Sequence, residues 1–127
     1  MNLHRSALLL LAPAVLAISA CASGSAIVTG ETRTPVAPKQ VKIYLEPPTS
    51  YEVIGLVNAT SDAGWTEQES LNYAIQELKK QAAKLGANGV LLVSSGETTT
   101  GVVSGKNYAI PVTGKTVQGK AIFVKEQ

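Results

Sequence analysis

Histidine and cysteine are almost missing from this chain: its 127 residues include one of each, His4 and Cys21. Beyond position 21 there is neither an imidazole nor a thiol. That absence removes the commonest general base, the commonest metal ligand and the best protein nucleophile. The sequence therefore points away from an enzyme and offers no catalytic residue, metal ligand or cofactor-binding motif. Without a cysteine pair no disulfide can brace the fold, even in an oxidising compartment, so stability must come from an apolar core. A dominant charge is lacking too. Arg5 is the sole charged side chain in residues 1–20, and the remainder carries ten lysines and arginines against nine acids. A chain so nearly neutral has no electrostatic footprint for nucleic acid, and it has no polybasic block that would hold it to a membrane.

Long hydrophobic runs are absent as well. The apolar stretch Ala7 to Ile18 falls short of the roughly 20 residues needed to span a bilayer. It follows a small basic region, His4 and Arg5, and ends in small residues, Ile18-Ser19-Ala20, directly before Cys21. This is the layout of a secretory signal with a small-residue cleavage site. The placement of Cys21 resembles the lipobox of bacterial lipoproteins. The resemblance implies that the Cys21 thiol is diacylated and that Cys21 becomes the first residue of the mature chain. The alternative is an ordinary signal peptide with an incidental cysteine. One myristoyl-sized chain binds a membrane only marginally, a condition that the several acyl chains of a lipobox cysteine meet. Ala22 and Ser23 stand where inner-membrane retention usually places aspartate, which implies the periplasmic face of the outer membrane.

Three segments follow from this reading: a signal peptide over 1–20, a lipid-anchored flexible tether over 21–39, and a periplasmic domain over 40–127. The tether is rich in Ala, Ser, Thr and Gly, carries Pro35 and Pro38, and shows no apolar period. Prolines bias it to extended geometry. The other reading is that Ala26-Ile27-Val28 adds an edge strand.

Within the domain, Gln40 to Leu45 alternates, with Val41, Ile43 and Leu45 on one side, as a half-buried strand does. Tyr51 to Val57 is β-rich, and Gly55 marks a bulge or a close backbone approach. Glu67 to Leu85 is the clearest helix. Thr66 and Glu69 have capping-box spacing, acids open it and Lys79, Lys80 and Lys84 close it, as the helix dipole favours. Leu71, Ala74, Ile75, Leu78, Ala82 and Leu85 form one apolar stripe, and Gly86 supplies the left-handed C-terminal position. Gly89 to Ser94 reads as a central strand, Val102-Val103 and Tyr108-Ala109-Ile110 as hairpin arms, and Val117 to Lys125 as a closing strand with a bulge at Gly119. The expected fold is α+β: a single helix packed on a mostly antiparallel sheet in β-β-α-β-(β)-β order.

The candidate motifs mostly resolve into structural roles. Gly105-Lys106-Asn107 and Gly114-Lys115-Thr116 echo a phosphate loop, but neither has the required spacing or opens a helix, so both read as turns. Asp62, Glu67, Glu69 and Glu77 read as helix-start or solvent-facing acids, with no separated environments that would make a catalytic pair. Trp65 reads as a core or staple residue, and Tyr44 as a candidate for a partner surface.

The segment Gln81-Ala82-Ala83-Lys84-Leu85-Gly86-Ala87-Asn88-Gly89-Val90-Leu91-Leu92 resembles the Rcs envelope-stress sensor lipoprotein, its small-lipoprotein relatives and YbjQ-type domains. Val53-Ile54-Gly55-Leu56-Val57 and Val117-Gln118-Gly119-Lys120-Ala121-Ile122-Phe123-Val124 are similar to their flanking strands. The sensor carries cysteine pairs in its folded domain and this chain carries none there. The resemblance implies a small lipid-anchored module acting through protein–protein contact in envelope stress sensing, with a membrane contact through Cys21 and an envelope protein as partner. The alternative is a structural or small-ligand-binding envelope lipoprotein without a signalling role.

Overall fold

The computed structural model describes residues 22–62, 66–107 and 109–125. The expectations for Cys21, Trp65 and Tyr108 lie outside the described residues. The elements are β1 (Ala22–Val28), a single 3-10 turn (Pro38–Gln40), β2 (Lys42–Tyr44), β3 (Tyr51–Ser61), α1 (Glu67–Lys84), β4 (Gly89–Ser104) and β5 (Ala109–Val124). The strands form one sheet in the order β1-β3-β5-β4-β2. All pairs are antiparallel except the short β2–β4 pair. Among the described residues one α-helix packs on a mostly antiparallel sheet, the α+β arrangement that the periodicity indicates.

The helix ends are set by local chemistry. At the start, the Thr66 hydroxyl accepts a hydrogen bond from the Glu69 amide at 3.2 Å, satisfying one of the first-turn donors. At the other end Leu85 is the cap and Gly86 has φ +78. The Gly86 amide bonds to Ala83 O and the Ala87 amide to Ala82 O, which together make a Schellman motif. Between these caps Ala74, Leu78 and Ala82 are fully buried, with Ala83 and Leu85 close behind. They meet Ile54, Val57, Ala59, Val90, Val117 and Ala121 from the sheet. The alanines bring the helix close, and burying each larger aliphatic contributes roughly 1.5–3 kcal/mol.

The main correction concerns residues 22–39, expected as a tether outside the fold. Ala22–Val28 is a full edge strand paired with β3 from Ala22↔Ser61 to Val28↔Gly55. The strand is longer than the Ala26-Ile27-Val28 alternative and begins at the first described residue. The following segment also docks. The Arg33 amide bonds to Leu85 O at 2.9 Å and the Val36 amide to Ala83 O at 3.1 Å. Carbonyls at a helix C-terminus lack intrahelical partners, and here the supposed tether supplies donors to them. Small and polar residues conceal this strand because the helix lies directly on it: a Cβ at Gly24 would meet Gln81 Cγ 2.8 Å away.

Two smaller corrections follow from strand length. Gly114-Lys115-Thr116, expected as a turn, lies inside β5, because the hairpin arms are continuous with the central strands. Gly105-Lys106-Asn107 is the connection between β4 and β5, as expected. Leu45, expected on a buried face, lies beyond β2 and is 76% exposed. Register shifts fall at Ile54, as Gly55 suggested, at Val93 and at Thr100. The second lies on β4 opposite Gly119, where a bulge had been expected on β5.

Candidate functional site

Alternation along the strands gives the sheet two faces. On β3, Val57, Ala59 and Ser61 are buried under α1, while Leu56 and Asn58 between them are exposed. Pairing carries this face across the sheet as two rows, Ile27–Leu56–Lys120–Leu91 and Ser25–Asn58–Gln118–Ser94, of which Leu91 at the far end is buried. Among the described residues the helix packs on the opposite face. The register shift on β4 adds a further apolar group: Leu92 pairs with Gly119 and Ser94 with Gln118, leaving Val93 without a cross-strand partner. A bulge of this kind re-aims a side chain, and Val93 is 61% exposed.

The result is a shallow cleft of about 320 Å³ lined by Ile27, Leu56, Val93, Asn58, Gln118 and Lys120 among others. Ile27 is 63% exposed and Leu56 45%. Its polar margin is ordered: Ser25 Oγ donates to Asn58 Oδ1 at 2.9 Å, and Ser94 Oγ lies 3.4 Å from Gln118 Oε1. Among the described residues no carboxylate pairs with Lys120. An apolar centre, a polar margin and one unpaired cation are the features of a recognition surface. Tyr44 closes one end of this face. Its ring lies over Gly89 beside Ile122, half-buried, with Lys42 Nζ 5.4 Å from the ring centroid.

The charged residues gather elsewhere. Lys115 Nζ contacts Glu97 at 2.5 Å and Glu67 at 3.6 Å, beside Asp62, Thr66 and Ser70 in a polar recess of about 190 Å³. The hydrogen bond from Lys115 holds the Glu97 carboxyl below its ordinary value, and the same bond raises Lys115. On the other side of the molecule Glu52 accepts from Arg33 at 2.9 Å and from Lys125 at 3.0 Å. Lys125, then Arg33, lower its carboxyl. Arg33 also stacks 3.7 Å from the Phe123 ring centroid. These are ion pairs that fasten strand ends and the N-terminal segment. Among the described residues no three acids, histidines or cysteines gather as a metal site, and no helix is long and apolar enough to cross a membrane.

Of the acids and motifs singled out by sequence, Glu67, Asp62 and Lys115 come together at the polar recess, with Lys115 bridging Glu67 and Glu97, while Glu77 pairs along the helix with Lys80 and Gln81. The open-face residues Ile27, Leu56, Val93 and Lys120 were missed. Ile27 and Leu56 carried a signal, since each is a large aliphatic on the outward phase of its strand. Val93 carried none, because only the register shift exposes it.

No protein-family model matches the chain, and no curated protein sequence matches it. Among solved structures, the fold is similar to that of the Francisella virulence factor FvfA, seen in an orthorhombic crystal form. The two superpose with a TM-score of 0.55 at 17% sequence identity, over 79% of this chain and 96% of that one. A likeness at that level of identity is one of fold, and it extends over nearly the whole of that chain.

Proposed function

We propose that this chain is a lipid-anchored bacterial envelope protein, held through acyl chains on Cys21 at the periplasmic face of the outer membrane, that acts by protein–protein contact in envelope stress sensing. It is not an enzyme and holds no cofactor. The observation that supports contact is the open sheet face, where Ile27, Leu56 and Val93 remain exposed around a cleft bordered by Lys120. The chemistry of that face suits a protein presenting an aliphatic or aromatic side chain to the cleft and a carboxylate to Lys120. The lipobox-like Cys21 and the sequence resemblance to Rcs-type lipoproteins support the envelope setting.

The test is complementation of a deletion strain carrying an envelope-stress reporter. Wild-type chain should restore the reporter response, whereas Leu56→Glu, with an unchanged thermal midpoint, should not. Full restoration by Leu56→Glu would remove the open face from the function. An unaltered reporter in the deletion strain would favour the structural or ligand-binding alternative.

A further inference from the structure

The edge strand leaves almost no spacer between Cys21 and the folded sheet. Cys21 directly precedes Ala22, and Ala22 is already paired with Ser61. Ser61 pairs with Lys115 and Lys115 with Glu97, so Ala22, Ser61, Lys115 and Glu97 mark one row across the sheet. β1 and β3 end at that row, but β4 and β5 continue together to Ser104↔Ala109. The six steps from Lys115 back to Ala109 carry the hairpin about 20 Å beyond the row, at roughly 3.4 Å per residue. The hairpin therefore projects from the same end of the molecule at which Cys21 enters.

Its sequence is unlike the rest of the chain. From Thr98 to Gly114 there is no acidic residue, and Lys106, in the exposed connection, is the one charge. Threonines form the neck, Thr98-Thr99-Thr100 and Thr113, and the outer part holds Val102, Val103, Ile110 and Val112. Beyond the row neither β3 nor β2 accompanies the two strands. Among the described residues no further strand flanks them there, and a two-stranded hairpin is at best marginally stable in water, which favours a supporting surface.

We propose that the outer β4–β5 hairpin rests in the lipid interface and is a second membrane contact beside the acyl chains on Cys21. This inference rests on the lipidation of Cys21 in the proposed function. With the lipid-bearing Cys21 directly before the row, a hairpin of this reach meets the bilayer. Unpaired strand edges cannot enter the hydrocarbon core, so it lies obliquely at the boundary of headgroups and acyl chains, about 5–10 Å deep as interfacial segments do. A segment with no acidic residue and this apolar composition suits that depth, and the exposed Lys106 suits anionic headgroups. The domain is thus seated on the membrane, and a partner for its open face must lie at the bilayer surface as well.

The full lipidated chain carrying Asn107→Cys has one free thiol, which takes a bimane label. It is reconstituted in phosphatidylethanolamine–phosphatidylglycerol vesicles containing brominated acyl chains, with Lys125→Cys, at the other end of β5, labelled for comparison. The label at 107 should be quenched, the label at 125 should not, and Val102→Asp with Ile110→Asp should abolish quenching without shifting the thermal midpoint. Intact mass reports the acyl chains separately. A lipidated chain with no quenching at 107, equal quenching at 107 and 125, or quenching that survives the two aspartates overturns the inference alone. Shielding from aqueous iodide without bromolipid quenching also overturns it, because the tip is then covered by another protein copy. A mass without acyl chains overturns both this inference and the anchored function.

Discussion

Asn88 links three strands through its four polar groups. Its amide bonds to Ile122 O and its carbonyl accepts from the Lys42 amide. Its side-chain amide donates to Val124 O at 3.0 Å and its side-chain oxygen accepts from the Val124 amide at 2.7 Å. The side chain thus acts as one more rung between the start of β4 and the end of β5. Asn88→Ala should cost about 1–3 kcal/mol, because it strands two part-buried backbone groups, and urea denaturation will read it. The neighbouring Gly86 combines φ +78 with close approach of the Arg33 carbonyl to the position a Cβ would occupy. Gly86→Ala should therefore destabilise by more than about 1 kcal/mol, with amide exchange accelerated at Arg33 as well as in the last helical turn. Sequence alone gave the glycine its role, since a left-handed cap is a local requirement. The side-chain partner of Asn88 lies 36 residues away, so no local pattern could reveal it.

The helix is the element most fully legible in advance, because its period, its N-cap and its C-terminal glycine all depend on neighbours within four residues. Leu78→Ala should destabilise by about 2–5 kcal/mol, while Gln76→Ala on the exposed side should stay within about 0.5 kcal/mol. Equal denaturation midpoints would mean that the stripe does not face the sheet. The hairpin base is less legible: Glu97, Lys115 and Glu67 come together only when β4, β5 and α1 are assembled. Here pH is the probe. Glu97 and Glu52 are lowered in the folded chain, so their contribution is complete above the ordinary glutamate value of 4.5 and is lost as pH falls through their folded values. Lys115 is raised, so its contribution is complete below the ordinary lysine value of 10.5 and is lost as pH rises through its folded value. The urea midpoint should be level between those limits and decline outside them. Glu97→Gln should shrink both declines, and an unchanged profile in that variant would show that the pair does not contribute. The two glutamates are half exposed, so the slopes should be shallow and flatten further in salt.

On the scale of the whole molecule, the N-terminal segment is the test of the architecture. A chain beginning at Lys39 lacks β1, the amides of Arg33 and Val36 that meet the helix end, and the Arg33–Glu52 pair. It should lose at least about 2 kcal/mol through the apolar surface uncovered on β3 and α1, and exchange should quicken along Gly55 to Ser61. Equal stability of the two chains would return residues 22–39 to the role of a tether. The sequence by itself determined the helix and its caps, the apolar strands on either side of it, the α+β class and the absence of disulfides from the fold. Each of these follows from local periodicity, local backbone preference or composition. Tertiary structure alone decided that Ala22–Val28 is a strand, that Gly114-Lys115-Thr116 lies within one, and that Ile27, Leu56 and Val93 share an uncovered face. A small-residue edge strand has no apolar period of its own; the register with β3 and the helix above Gly24 specify it. Which face of a strand stays open depends on where the one helix lies, and that is settled by packing between distant segments.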